Sequence, residues 1–317
     1  MTLTGLHLLL TYGCTYECDH CFVWSGPFQP GTLTIPRVGS ILQQTRALGT
    51  VEWFYFEGGE PFLYHATLRW GVRRAAELGF KVGIVTNAYW ANDPADALES
   101  LRDLAGLVQD LSVSCDAFHG DAEQERRAEY VRGAAAQLRI PLDVIRIAPV
   151  ESDGAARARG QLPAGESAVM FRGRAAERLS DRAPRLPWHS FTGCPHEDLR
   201  EPGRVHVDPL GHVHVCQGIT IGNVFETPLQ EICRAYDPDA HPIVGPILEG
   251  GPAGLARRHG APHEETCADA CHLCYLVRVA LRPRFPRELG PDQMYGPSEG
   301  TESTAKAGTP GPTQESP

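Results

Sequence analysis

Along the first half of the chain, short continuous apolar runs alternate with longer stretches whose apolar positions fall three or four apart. The runs read as buried strands and the stretches as amphipathic helices. Leu6 to Leu10 forms the first run, and Val51-Glu-Trp-Phe-Tyr-Phe56, aromatic and β-branched, the second. Between them, Val38, Ile41, Leu42, Thr45 and Leu48 share one helical face after Pro36, and Gly49 stands where a helix-ending glycine belongs. The pattern then repeats: helix over 66–78, strand from Lys81 to Thr86, helix from Pro94 to Leu104, strand from Asp110 to Ser114, helix over 121–138. Strands from Leu142 to Ile147 and from Ser167 to Phe171 complete six β-α units, which predicts an α/β fold built on a parallel sheet.

One connection does not fit that rhythm. Residues 11 to 35 separate the first strand from the first helix, far beyond the two to six residues of an ordinary β-α loop, and such long connections usually carry function. This one holds Cys14-Thr-Tyr-Glu-Cys18-Asp-His-Cys21. Three thiolates can ligate an iron-sulfur cubane and leave its fourth iron open for chemistry. Structural zinc takes four protein ligands and is closed, a disulfide framework needs an even number, and ferredoxin-type runs use other spacings. The second strand runs directly into Glu57-Gly58-Gly59-Glu60-Pro61, where paired glycines allow close approach of a ligand to the backbone.

Cys-x3-Cys-x2-Cys after a short apolar strand, followed one β-α unit later by Gly-Gly-Glu-Pro, resembles the radical S-adenosylmethionine (radical SAM) superfamily. The resemblance implies a partial (β/α)6 barrel, a [4Fe-4S] cluster on Cys14, Cys18 and Cys21, and bound S-adenosylmethionine. It also implies that Glu60 pairs with the cofactor's ammonium and that Gly58 and Gly59 give it backbone contacts. His20 takes the position of an aromatic residue whose backbone reaches the adenine, while Asn87 and Ser114 would lie near the methionine or ribose. A low-potential electron donor, flavodoxin or ferredoxin, is the implied partner. Barrel chemistry sits at the C-terminal ends of the strands. There Asp116 and His119 are candidates for substrate ligand or proton acceptor, the alternative being a solvated loop pair. Cys115 is a candidate hydrogen-atom donor, the alternative being a small buried hydrophobe.

After residue ~185 the pattern changes. Arg204-Val-His-Val and His212-Val-His-Val-Cys216 alternate around Asp208-Pro-Leu-Gly211, which predicts a β-hairpin with Cys216 off the apolar face. Cys194 upstream, the Gly211-x4-Cys216 spacing, and Cys267-Ala-Asp-Ala-Cys271-His-Leu-Cys274 downstream resemble the SPASM or shorter twitch extension of radical SAM enzymes. That extension implies an auxiliary [4Fe-4S] cluster. Too few thiols are present for a two-cluster version; Cys233 lies in a helical pattern as a buried thiol. The favoured ligands are Cys194, Cys216, Cys271 and Cys274, with Cys267 competing; a zinc knuckle on the same thiols is the rival. His212 and His214 are expected to be solvated on an exposed arm.

Composition narrows the function. With 29 basic and 39 acidic residues, a net charge of -10 and no Lys or Arg run, a nucleic-acid partner is disfavoured. Residues 1 to 13 lack a signal-peptide pattern and no apolar run reaches the ~20 residues of a membrane span, so a cytoplasmic location is expected. The first strand starts close to Met1, so no N-terminal peptide-recognition domain is expected, which tilts the balance slightly away from a peptide substrate. The expected division is a core over 1–185, a cysteine-rich hairpin and helix extension over 186–282 with an irregular bridge or short helix at 241–264, and a disordered tail over 283–317 rich in Pro, Gly, Ser and Thr. The expected activity is hydrogen abstraction from a peptide or small metabolite, with the auxiliary cluster assisting oxidation or bond formation. Alternatives are an epimerase or dehydrogenase of a sugar or aminocyclitol, and a non-catalytic iron-sulfur or zinc protein.

Overall fold

The structure, a computed structural model, describes residues 1–120, 122–151 and 165–296. The fold is α/β, with nine strands in one sheet ordered β10-β9-β8-β1-β2-β3-β4-β5-β6 among the described residues. Strands β1 (Gly5–Leu9), β2 (Trp53–Glu57), β3 (Lys81–Thr86), β4 (Asp110–Ser114), β5 (Leu142–Ile147) and β6 (Gly165–Ser167) run parallel to their neighbours. Helices α1 (Ile35–Leu48), α2 (His65–Glu77), α3 (Pro94–Arg102) and α4 (Ala122–Leu138) return the chain between them.

Local chemistry sets these boundaries. α1 ends at Gly49, whose φ of 75° lies in the left-handed region and whose N–H donates to the Arg46 carbonyl. Asp93 caps α3 by accepting the Asp96 N–H. Leu6, Leu8, Phe54, Phe56, Val82 and Ile84 are fully buried; spaced by two and paired in register, they give the sheet one continuous apolar face. Helix α5 (Arg174–Arg178) follows β6.

Three departures from the sequence expectation matter. The sixth strand was expected over Ser167 to Phe171, yet β6 ends at Ser167; Val169 and Phe171 instead pack with Ala175 and Leu179 in a small separate cluster. The segment 241–264, expected as an irregular bridge or short helix, contains the 16-residue helix α7 (Val244–His259), kinked at Gly250 and Gly251 just before Pro252. Residues 283–296, expected as disordered tail, pack: Leu289, Met294 and Tyr295 are buried, and the Tyr295 ring stacks on Tyr275 at 5.7 Å. The rest of the expected tail, 297–317, lies outside the described residues.

The cysteine-rich segment continues the core sheet. β7 (Leu186–Pro187) and β11 (Thr266–Cys267) form a two-stranded ribbon, whereas β8 (Arg204–Val207) pairs parallel with β1. β9 (His212–Cys216) and β10 (Ile219–Asn223) follow antiparallel, with the predicted turn at Asp208–Gly211. The addition of β10 explains why His214 is completely buried rather than solvated. Its Nε2 lies 3.2 Å from the Asp208 carboxylate, which also accepts the Tyr12 hydroxyl at 2.7 Å. Helices α6 (Leu229–Ala235), carrying buried Cys233, and α8 (Ala270–Leu281), carrying Cys271 and Cys274, complete the extension. No helix among the described residues is long and apolar enough to cross a membrane.

Candidate functional site

The C-terminal ends of the strands open into a cavity of about 1380 Å³, partly open to solvent. Cys14, Cys18, Cys21 and His20 line it from the long loop, Gly58 and Gly59 from the end of β2. Asn87, Ser114, Asp116 and His119 line it from the ends of β3 and β4. Glu60 and Cys115 do not.

The cysteine loop is held from both sides by backbone. Gly59 N–H donates to the Thr11 carbonyl at 2.7 Å and Glu60 N–H to Gly13 at 2.8 Å. A Cβ at Gly59 would overlap Gly13, and one at Gly58, with φ 138°, would lie 2.5 Å from the Thr11 oxygen. The paired glycines therefore serve the close passage of two chain segments as well as the cavity wall. On the other side Gly173 packs against the loop: its Cβ would lie 2.6 Å from the Cys21 oxygen. Arg174, fully buried, donates to the carbonyls of Cys18 and Ser25 at 2.8 and 2.7 Å. Gln293 reaches back to the Val23 and Trp24 carbonyls at 3.1 and 2.9 Å.

The sulfurs are set up as acceptors. Asn87 Nδ2 and Tyr16 N–H each lie 3.5 Å from Cys14 Sγ, and Ser25 N–H donates to Cys21 Sγ at 3.3 Å. N–H groups aimed at thiol sulfur suit thiolate ligands, whose negative charge they stabilise. Burial in the protein alone pushes the Cys14 thiol up to about 12, so its thiolate form calls for a bound cation as well. The three sulfurs of Cys14, Cys18 and Cys21, two of them accepting N–H groups, lie on one cavity wall and fit a three-cysteine [4Fe-4S] cluster.

The structure places Glu60 apart from the cavity lining. Its carboxylate is fully buried and taken up within the protein, Oε1 by Thr86 Oγ1 at 2.8 Å and Phe62 N–H at 3.0 Å, Oε2 by Asn87 N–H at 2.7 Å. Its extended backbone (φ -137°, ψ 108°) turns the side chain to cap the short helical turn Pro61–Tyr64. Glu60 thus ties the glycine turn to the end of β3 and has no oxygen facing the cavity. Burial raises its carboxyl to about 7 against the pull of those donors.

Strand alternation sorts the other candidates. Ser114 and Asp116 face the cavity, so Cys115 between them faces away, buried, with Sγ 3.9 Å from Arg146. The hydrogen-donor role considered for Cys115 has no geometric support. Asp116 accepts Phe118 N–H at 2.9 Å and Ile147 N–H at 3.1 Å and pairs with His119 Nδ1 at 2.8 Å. Burial works against its charge, yet the His119 contact outweighs this and holds its carboxyl low. Burial pushes His20 down to about 4, and its ring packs on Phe118 and His119. His20, Asp116 and His119 make a compact polar group at the cavity edge.

A deeper group escaped the sequence reading. His7 Nδ1 and His206 Nε2 both contact Glu57 Oε1, at 3.3 and 3.0 Å, beneath the glycine turn. Burial opposes the Glu57 charge, but the two imidazoles prevail and hold its carboxyl well below the usual range. Period-two placement of His7 on β1 and His206 on β8 was the available signal, but nothing in sequence announced that these strands pair.

A second, smaller cavity lies beside the first. Cys194, Cys216, Cys271 and Cys274 line it together; Cys267 is buried in the β7–β11 ribbon outside it. Asp269 fixes α8, which carries two of the thiols, by accepting His272 N–H at 2.7 Å at the helix start and Phe171 N–H at 3.3 Å from the segment after β6. Arg172, next along that segment, is buried with its guanidinium 3.4 Å from Cys216 Sγ, and it lines both cavities.

Comparison with known proteins identifies a domain over part of the chain. Residues 8–140 match the family model described as the Radical SAM superfamily. This chain carries a radical SAM domain. A curated relative, an S-adenosylmethionine-dependent nucleotide dehydratase of Fibrobacter sp. (strain UWH6), is 24% identical over 123 residues, 34% of this chain and 32% of the relative. The chain thus matches about a third of that relative's length. Among solved structures, BtrN in complex with AdoMet and 2-DOIA aligns over 81% of this chain and 90% of its own, with a TM-score of 0.53 and 17% identity. SuiB of Streptococcus suis bound to precursor peptide SuiA covers 86% and 71%, with 12% identity and a TM-score of 0.42. The BtrN likeness is one of fold. The radical SAM domain implies a [4Fe-4S] cluster and S-adenosylmethionine.

Proposed function

We propose that the chain is a radical SAM enzyme that oxidises a small polar substrate, with Cys14, Cys18 and Cys21 holding the cofactor-binding [4Fe-4S] cluster and Cys194, Cys216, Cys271 and Cys274 holding an auxiliary one. On this reading residues 1–185 form the catalytic core and 186–282 the auxiliary extension. The carrying observation is the placement of three thiols on one cavity and four on the next, with Arg172 common to both.

The bound cluster and S-adenosylmethionine supply reductive cleavage of a sulfonium and the hydrogen abstraction that follows, powered by a low-potential flavodoxin or ferredoxin. The chain's own part is positioning. Gly58 and Gly59 set the wall against which the cofactor lies, Asn87 and Ser114 offer polar atoms at the strand ends, and His20 with Phe118 closes the side next to Cys21. Asp116, with His119 on its Oδ1, offers a hydrogen-bonded polar pair at the cavity edge for substrate contact. The floor of His7, Glu57 and His206 suits a small molecule bearing hydroxyl or amino groups, because a buried ionic group rewards partners that hydrogen-bond and rejects apolar ones. The curated relative's name points to small-molecule chemistry as well.

Oxidation is favoured over epimerisation for a specific reason. Returning a hydrogen atom to a substrate radical calls for a donor such as a free thiol in the cavity. Among the described residues lining it, the thiols are Cys14, Cys18 and Cys21, all assigned to the cluster. The test is anaerobic reconstitution with iron and sulfide, then dithionite and S-adenosylmethionine. Slow release of 5′-deoxyadenosine and methionine is expected, and none from the Cys14→Ala, Cys18→Ala, Cys21→Ala variant. Release that persists in the triple variant would remove the reading.

A further inference from the structure

Two arginines flank the four-thiol cavity, and both are almost wholly enclosed, Arg172 at 7% and Arg278 at 2% exposure. Arg172 comes from the segment before α5, Arg278 from one turn beyond Cys274 on α8. Arg172 directs Nη1 at Cys216 Sγ, 3.4 Å away, and its nearest carboxylate, Glu197, stands 3.7 Å off and is shared with Arg204. Arg172 Nε has no protein partner. Arg278 donates Nε to the Cys274 carbonyl at 3.3 Å and Nη1 to the Gln217 carbonyl at 2.6 Å, and no carboxylate pairs with it among the described residues. A buried cation without a matching anion is expensive, so this pair needs negative charge from the thiol cavity itself.

We propose that Arg172 and Arg278 are positioning residues that raise the reduction potential of the group held by Cys194, Cys216, Cys271 and Cys274, and that Arg172 marks the side from which an electron arrives from the barrel cavity. The inference rests on the reading that an auxiliary cluster occupies these thiols. A four-thiolate [4Fe-4S] group is anionic and gains one further negative charge on reduction. Fixed positive charge at contact distance in a low-dielectric site favours that gain. Arg172 reaches both cavities, so its side chain spans the partition between substrate space and cluster space. In the overall oxidation, one hydrogen atom leaves the substrate carbon to the cofactor-derived radical. One electron then passes to the auxiliary cluster and one proton leaves the adjoining hydroxyl or amino group, so two electrons and two protons are lost in total. A raised potential makes that second transfer downhill.

The test is a redox titration, followed by electron paramagnetic resonance, of full-length protein reconstituted anaerobically in the Cys14→Ala, Cys18→Ala, Cys21→Ala background, where any remaining signal belongs to the second site. Arg172→Gln keeps an N–H donor and removes the charge; it should lower the midpoint by a factor of at least ten in the reduction equilibrium, about 59 mV for one electron. Arg172→Lys should restore it. Glu197→Gln, which removes the nearest anion, should shift the midpoint upward and serves if Arg172→Gln takes up no iron. A midpoint unmoved in these variants at full iron content overturns the inference alone. A background protein with zinc or no iron at the second site overturns the auxiliary-cluster reading beneath it, and the inference with it.

Discussion

Asn87 donates its backbone N–H to Glu60 Oε2 at 2.7 Å, joining the end of β3 to the turn after β2 inside the protein. The same asparagine directs its side-chain Nδ2 toward Cys14 Sγ. One residue therefore couples the buried carboxyl group of Glu60 to the cysteine loop.

Glu60→Ala should consequently cost stability first. The carboxyl group accepts two backbone N–H groups and one hydroxyl; its removal leaves three buried donors unpaired at roughly 1 to 3 kcal/mol each, so a loss of about 3 kcal/mol or more is expected. Urea unfolding of the iron-free protein measures it. A variant that unfolds like the parent but binds S-adenosylmethionine much more weakly would show the carboxylate reaching the cofactor directly.

Gly59→Ala and Gly173→Ala should each reduce iron at the first site while sparing the second. The new methyl groups would strike backbone at Gly13 and Cys21 respectively, on opposite flanks of the cysteine loop, and backbone cannot swing aside as a side chain can. Iron per chain after reconstitution should fall from about eight toward about four, given two four-iron clusters. Cys267→Ala, by contrast, should leave iron content unchanged, because Cys267 lies in the β7–β11 ribbon away from the four-thiol cavity. Loss of a whole cluster from Cys267→Ala would mean that the ligand set differs.

Sequence and structure agree most closely where local pattern and burial coincide. β3, β4 and β5 match the expected residues because buried Val82 and Ile84, and Leu111 and Val113, alternate along β3 and β4, while β5 carries β-branched Val144, Ile145 and Ile147. The cysteine and glycine motifs lead to one cavity because strand order brings every β-α loop to the same end. Side-chain direction was not legible: Gly-Gly-Glu-Pro gives no sign that Glu60 turns inward as a cap. α7 was hidden by Gly250, Gly251 and Pro252, which count as breakers singly but here make one kink with proline in the first turn beyond it. Arg172 looked like an unremarkable loop residue, since its meaning depends on α8 and β9 meeting beside it.

The Asp208 network gives a pH-dependent prediction. Burial disfavours its charge, but contacts from His212 and His214 outweigh this and hold the carboxyl well below its usual range, while its Oδ1 accepts the Leu210 and His212 N–H groups at 2.9 Å. A depressed carboxyl contributes stability above its unfolded value near 3.8, lost as pH falls through the lower folded value. His212 behaves oppositely: burial lowers it, but the Asp208 contact wins and raises it above 6.5. Its contribution is complete below 6.5 and disappears as pH rises through the folded value. Asp208→Asn should therefore destabilise by about 3 kcal/mol near pH 6, where both contributions are present, and by less at pH 9, where only the carboxylate's remains. Urea unfolding of parent and variant at the two pH values checks this. A stability gap that widens toward pH 9 would contradict the assignment of His212 as the charged partner of Asp208.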